Sequence, residues 1–206
     1  MKRSTLTKTL YAIILGVTLS ACSSVPQSRT PTVEIAQQTQ VNLPSPASLS
    51  YSLTASQLIQ AQWHNGEQTR SEQLPVQLQV SKDKLVLAGF SSWGTRILSL
   101  SYHDDVISTD VMKGLGGVLP QPEQVLFNLM ITLWPSSAWE APLNKVRWQI
   151  IDQDNSRAIY DSNGEKVIDI QYSNKDRLTG EITFRHLIDN YTVKIKTLQF
   201  NKAPMT

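Results

Sequence analysis

The 206-residue sequence predicts a mainly β fold with α content: a strongly curved antiparallel sheet, an incomplete barrel, with a helix crossing its concave face. Three observations lead there. Apolar and polar residues alternate with period two over most of the chain from about residue 47 to 202. Turn signals, above all Asn65-Gly66 and Asn163-Gly164, separate the alternating runs at short intervals, as in a meander. One stretch, residues 114–139, breaks the pattern and carries a single charge, Glu123.

The chain begins with Lys2, Arg3 and Lys8, then an apolar run from Leu10 to Leu19, then Leu19-Ser20-Ala21-Cys22. A basic start, a short apolar run and small residues before a cut describe a secretory signal, and the run is too short for a permanent membrane span. The tetrapeptide resembles the lipobox of bacterial lipoproteins. That resemblance implies residues 1–21 as signal peptide and Cys22 as the acylated first residue of the mature chain. Cys22 is the sole cysteine, so no internal disulfide can form. Ser23 stands where enteric-type lipoproteins retained in the inner membrane tend to carry aspartate, so the expected address is the outer membrane, with the domain facing the periplasm. The signal holds three of the nineteen Lys and Arg and none of the seventeen Asp and Glu, which leaves the mature chain at a net charge of −1. No basic field remains to attract nucleic acid.

Residues 22–46 read as a flexible tether, poor in aromatics and rich in Ser, Thr, Gln and Pro. Its span as a coil is about 25–30 Å. The folded domain is expected over 47–202, with 203–206 as a tail. Within it, Ile59, Ala61 and Trp63 share a face, as do Leu74, Val76, Leu78 and Val80. A turn at Ser81–Lys84 precedes Leu85–Phe90, which is apolar on both faces. Leu98, Leu100 and Tyr102 follow, then a short strand from Val106 to Val111.

In the interruption, Pro122 suits a first helical turn and Pro135 ends the element. Gln124, Asn128 and Thr132 form one narrow polar stripe, and most of the circumference is apolar. Such a helix must be covered on more than one side. Strands resume with Val146, Trp148 and Ile150, then Arg157–Tyr160, Lys166–Tyr172 and the face of Ile182, Phe184, His186 and Ile188. Tyr191, Val193 and Ile195 share a face before the phase shifts to Leu198 and Phe200, which predicts a bulge.

The order of these features resembles the LolA/LolB group, periplasmic carriers and outer-membrane acceptors of lipoproteins. Locally, Phe90-Ser91-Ser92-Trp93-Gly94-Thr95-Arg96-Ile97-Leu98 resembles the LolB stretch that exposes an apolar loop residue, and Gly-Gly-Val-Leu-Pro at 116–120 resembles the approach to its lid helix. LolB has more helix before its first strand and before the Gly-Leu-Pro region than this sequence shows. The chain is similar to a LolB-like lipoprotein family associated with aryl polyene or fatty-acid gene clusters. The resemblance implies an outer-membrane lipoprotein that binds or hands over a lipid, a lipid-linked product or lipoprotein acyl chains. The partners implied are the membrane itself, through the N-terminal lipid anchor, an apolar or acyl-chain ligand, and a periplasmic carrier protein.

Two readings stand for each candidate residue. Trp63, Leu78, Leu100, Leu126, Leu129, Met130, Leu133, Trp148 and Phe184 line a hydrophobic cavity or simply fill the core. Trp93 is a membrane or partner contact or a buried hairpin tryptophan. No catalytic residue, metal ligand or cofactor is assigned: Ser81-Lys82-Asp83-Lys84 falls in a turn, and Asp104-Asp105 beside His103 reads as a strand-end turn. The alternative to a carrier is a non-catalytic accessory lipoprotein that scaffolds an envelope export or biosynthesis complex.

Overall fold

The computed structural model describes residues 30–65, 68–114 and 120–205. Ten strands form one antiparallel sheet in the order β7-β6-β5-β4-β3-β12-β11-β10-β9-β8, open at both edges. The first meander holds β3 (Tyr51–Asn65), β4 (Gln68–Val80), β5 (Lys84–Phe90), β6 (Arg96–His103) and β7 (Val106–Val111). The second holds β8 (Gln149–Gln153), β9 (Ser156–Tyr160), β10 (Lys166–Tyr172), β11 (Glu181–His186) and β12 (Tyr191–Pro204). They join where β3 pairs with β12 from Tyr191↔Trp63 to Pro204↔Tyr51. The register slips between Thr197 and Gln199, which is the predicted bulge, and Leu198 there turns out to solvent.

Helix α1 (Pro122–Leu133) opens on Pro122 and ends before Pro135, as the sequence predicts. It packs against β7 and β11, and its last carbonyls reach Arg157 on β9. Across a flat sheet, eight strand spacings separate β7 from β9, about 38 Å. A twelve-residue helix is about 18 Å long. One helix can serve both places only because the sheet curls around it.

Several expectations are corrected. Residues 32–42 are no tether: β1 (Thr32–Ala36) and β2 (Thr39–Asn42) pair into a hairpin. Val33, Ile35 and Val41 of that hairpin, and Leu43 after it, are buried in the core. Its alternation is short, Val33-Glu34-Ile35, and its surroundings are polar, so composition concealed it. A 3-10 turn at Pro46–Leu49 then leads into β3 and packs against β5. At the other end, Ala203 and Pro204 belong to β12, opposite Ser52 and Tyr51, and are not a tail. The interruption contains a second helix, α2 (Ser137–Lys145), which Pro142 hid by marking its interior as a breaker. Val146 and Trp148 therefore leave a helix rather than form a strand: Arg147 turns at φ 60°, and Trp148 N–H closes on Leu143 O at 3.0 Å. Ile188 lies in the β11–β12 turn, not on the strand face. Cys22 and the whole segment 1–29 lie outside the described residues.

The hairpin supplies the second cover that α1 requires. Strand β1 packs on α1, β2 on α2, and Trp139 of α2 meets Phe127 of α1 edge to face at 5.5 Å. Replacing Ile35 by Ala is expected to lower unfolding free energy by about 2–5 kcal/mol in a denaturant titration. A residue in a solvated tether would change it by less than about 0.5 kcal/mol.

Candidate functional site: the interior around α1

The polar stripe of α1 faces the sheet, not water. Gln124 Nε2 donates to Asn128 Oδ1 at 3.1 Å and to Tyr191 Oη at 3.0 Å, and Tyr191 O–H donates to Asn128 Oδ1 at 3.0 Å. Thr132 O–H turns back to Leu129 O at 2.7 Å, and Tyr172 O–H donates to Thr132 O at 3.0 Å. Burial pushes the Tyr191 hydroxyl well above its ordinary range, so it stays a neutral donor. The stripe is thus a row of satisfied polar contacts inside an apolar seam.

The C-terminus of α1 is held by charge. Arg157, fully buried, donates from Nη1 to Ile131 O at 2.5 Å and to Trp134 O at 2.9 Å. Its other face grips Asp152 bidentately, Nε to Oδ1 at 2.6 Å and Nη2 to Oδ2 at 2.9 Å. Arg177 adds Trp134 O at 3.0 Å and Asp152 Oδ2 at 3.1 Å. Burial pushes the Asp152 carboxyl up, but the two guanidiniums outweigh it and hold it below the usual carboxylate range. Cations at the carbonyl end of a helix satisfy its orphan acceptors and its dipole together. Arg157 sits in a period-two strand, where sequence alone reads an outward charge; only the carbonyls of α1 reveal why it points inward.

The nine candidate cavity residues do not all share one environment. Leu78, Leu100, Leu126, Leu129, Met130, Leu133, Trp148 and Phe184 are buried in a single cluster. Trp63 lies on the same face of β3 as Leu53 and Ala55 but is half-buried, near the far end of the β3–β4 hairpin. Elsewhere the surface carries shallow depressions. One of about 350 Å³ lies on the outer face between Lys84, Ser101, His103, Asp104, Val106 and Ser108. The other, about 160 Å³, lies at the α2–β8 edge beside Leu143 and Trp148. Neither separates α1 from the sheet. Val33, Ile35, Val41, Leu43 and Leu49 of the N-terminal segment share the core with α1.

Trp93 occupies the tip of the β5–β6 turn and is 91% exposed. The turn closes on itself: Ser91 N–H donates to Thr95 O at 2.8 Å, Thr95 N–H to Ser91 Oγ at 3.2 Å, and Gly94 adopts φ +78°. Met112 after β7 and Leu187 and Ile188 in the β11–β12 turn are exposed at the same end of the sheet. Among the described residues no group of three or more His, Cys, Asp or Glu could hold a metal ion. No described helix is long and apolar enough to cross a membrane.

His186 ties the hairpin to the sheet. Its Nε2 lies 3.0 Å from Ile35 O, Asp189 N–H donates to its Nδ1 at 3.1 Å, and Tyr191 stacks on the ring at 5.1 Å. That pattern selects the neutral tautomer with the proton on Nε2. Burial lowers the His186 pKa; the Asp189 carboxylate 3.3 Å away and the bond to Ile35 O act in the opposite sense without overcoming it. Because the folded pKa is depressed, the stabilisation is complete above the unfolded value of about 6.5 and is lost as pH falls through the folded value. Unfolding free energy is therefore expected to drop between pH 7 and pH 5. His186→Gln, which keeps a donor for Ile35 O, should flatten that slope; an unchanged slope would assign it to other groups.

No curated protein matches the chain in sequence. Its structure is similar to that of a LolA superfamily protein from Nitrosomonas europaea, at 7% identity and a TM-score of 0.39, over 80% of this chain and 94% of that one. It is also similar to an outer membrane lipoprotein-sorting protein domain from Vibrio parahaemolyticus, at 8% identity and a TM-score of 0.34, over 75% of this chain and 86% of that domain. A family model matches residues 54–199, from β3 into the bulge of β12, and leaves the β1–β2 hairpin outside. On that match the chain belongs to the family DUF3261, a protein family of unknown function.

Proposed function

We propose that this is a lipoprotein anchored in the outer membrane through Cys22, and that its domain binds and hands over a hydrophobic ligand: a lipid, a lipid-linked product or the acyl chains of a lipoprotein. The observation that carries this reading is the seat of the β1–β2 hairpin. Its strand β1 covers the mostly apolar α1, and Val33, Ile35, Val41 and Leu43 are buried in the shared core. Among the described residues, two hydrogen bonds tie the segment 30–49 to the rest, His186 to Ile35 O and Trp134 to Ser45 O. A contact made of apolar area with few directional bonds can be replaced, on the α1 side, by the hydrocarbon of a ligand. The ligand then takes the place of the hairpin on α1, and residues such as Leu126, Leu129, Met130 and Phe184 become its walls. Trp93, at an exposed tip, is the contact with the bilayer or with a periplasmic carrier.

The hairpin also shortens the tether. With the fold beginning near Thr30, eight residue steps from Cys22 reach about 28 Å at most. Ligand release and membrane attachment are thereby brought together in one segment.

A fluorescent fatty acid should bind the folded domain displaceably, and its binding should speed amide hydrogen exchange in residues 33–42. Binding without faster exchange there would locate the ligand elsewhere. No displaceable binding would favour the second reading, an accessory lipoprotein that scaffolds an envelope complex, which the close packing around α1 supports. Cys22→Ala should move the protein from the membrane to the soluble periplasmic fraction. Continued fractionation with the membrane would rule out anchoring through this residue.

A further inference from the structure

The sheet ends on β7, and the two sides of that strand differ. Met112 N–H donates to Ile97 O at 3.0 Å, and the register continues through Asp110↔Ser99, Ser108↔Ser101 and Val106↔His103. Backbone groups of successive strand residues point to opposite sides. Ile107, Thr109 and Val111 therefore direct their N–H and C=O away from β6, and no described residue bonds them. Edges of this kind are ordinarily blunted by Lys, Pro or a bulge. Strand β7 has none of these; its one charge, Asp110, is matched by Arg96 at 3.4 Å. Each edge strand has a helix against it, α1 on β7 and α2 on β8; on β8 the charged Asp152 is engaged by Arg157 and Arg177.

We infer that β7 pairs antiparallel with β7 of a second copy of this chain, centred on Thr109. A two-fold axis normal to the sheet puts concave residues opposite concave ones, so only registers shifted by even steps are allowed. Centred on Thr109, Ile107 faces the partner's Val111, Thr109 the partner's Thr109, and Ser108 the partner's Asp110. Val106 and Met112, 59% and 43% exposed in one copy, face each other across the axis. All three outward-pointing residues of each strand then find hydrogen-bonding partners. Shifting one way sets Asp110 against the partner's Asp110. Shifting the other way sets Ile107 against the partner's Thr109. Self-complementarity in apolar and polar pairs, with the two Asp110 carboxylates kept from facing each other, singles out one register and a second copy as the occupant. This inference is independent of the ligand reading.

The test uses the full-length chain extracted in mild detergent. In the inferred pair the Cα atoms of residue 109 are about 5.5 Å apart, within disulfide reach, whereas residue 108 lies diagonal to its copy and beyond it. Thr109→Cys should form a covalent dimer under mild oxidation at least tenfold more readily than Ser108→Cys, with the unsubstituted chain, which keeps Cys22, as background. Thr109→Pro removes an outward N–H that β6 does not use, and should raise the concentration for half-dimerisation at least tenfold in light scattering. Equal cross-linking at 108 and 109, or a monomer at every concentration for the unsubstituted chain, would overturn the inference. Should Thr109→Pro fail to fold by its melting curve, the two cysteine variants still decide.

Discussion

Seven side chains of α1 are buried over its twelve residues, from Leu126 to Leu133, and its polar stripe is bonded to the sheet. A helix with no wetted face cannot rest on a flat surface, because half of it would remain in water. The curl of the sheet, the hairpin over the helix and the charges at its carbonyl end all answer that requirement. The curl brings β7, β11 and β9 to the same helix. The hairpin closes the side that the sheet leaves open. Arg157 and Arg177 satisfy the last carbonyls where water cannot reach.

The two ends of α1 are held differently. At the N-terminal end neutral groups, Gln124, Asn128 and Tyr191, share hydrogen bonds. At the C-terminal end a buried guanidinium is locked to a carboxylate, and removing the carboxylate would strand the Arg157 charge. The hairpin, by contrast, rests mostly on apolar area. In the proposed function, it is this element that gives way to a hydrocarbon ligand.

Much of the sheet was legible in sequence because strands carry their pattern locally. The alternation in Leu74–Val80 and Lys166–Tyr172, the turns at Ser81–Lys84 and Asn163-Gly164, and the phase shift at Leu198 all appear where they were expected. Elements whose stability comes from elsewhere were not legible. The β1–β2 hairpin has too few apolar residues to fold alone and forms because α1 needs a cover. Helix α2 holds Pro142 against local propensity because Trp139 and Leu143 are buried in the core. Arg157 gives no local sign that it points inward.

By itself the sequence determined that the protein is an antiparallel meander interrupted by one mostly apolar helix between Pro122 and Pro135, since period and turn chemistry are properties of neighbouring residues. Tertiary structure decided what covers that helix and where its polar stripe points. It also decided that Trp93 is exposed, and that the chain's own N-terminal segment shares the core with α1. Those outcomes depend on pairing β3 with β12 and on packing segments some ninety residues apart, as Trp134 and Ser45 are. Filling a concave surface is settled by which distant segment supplies the most apolar area at the least entropic cost, and no local pattern encodes that comparison.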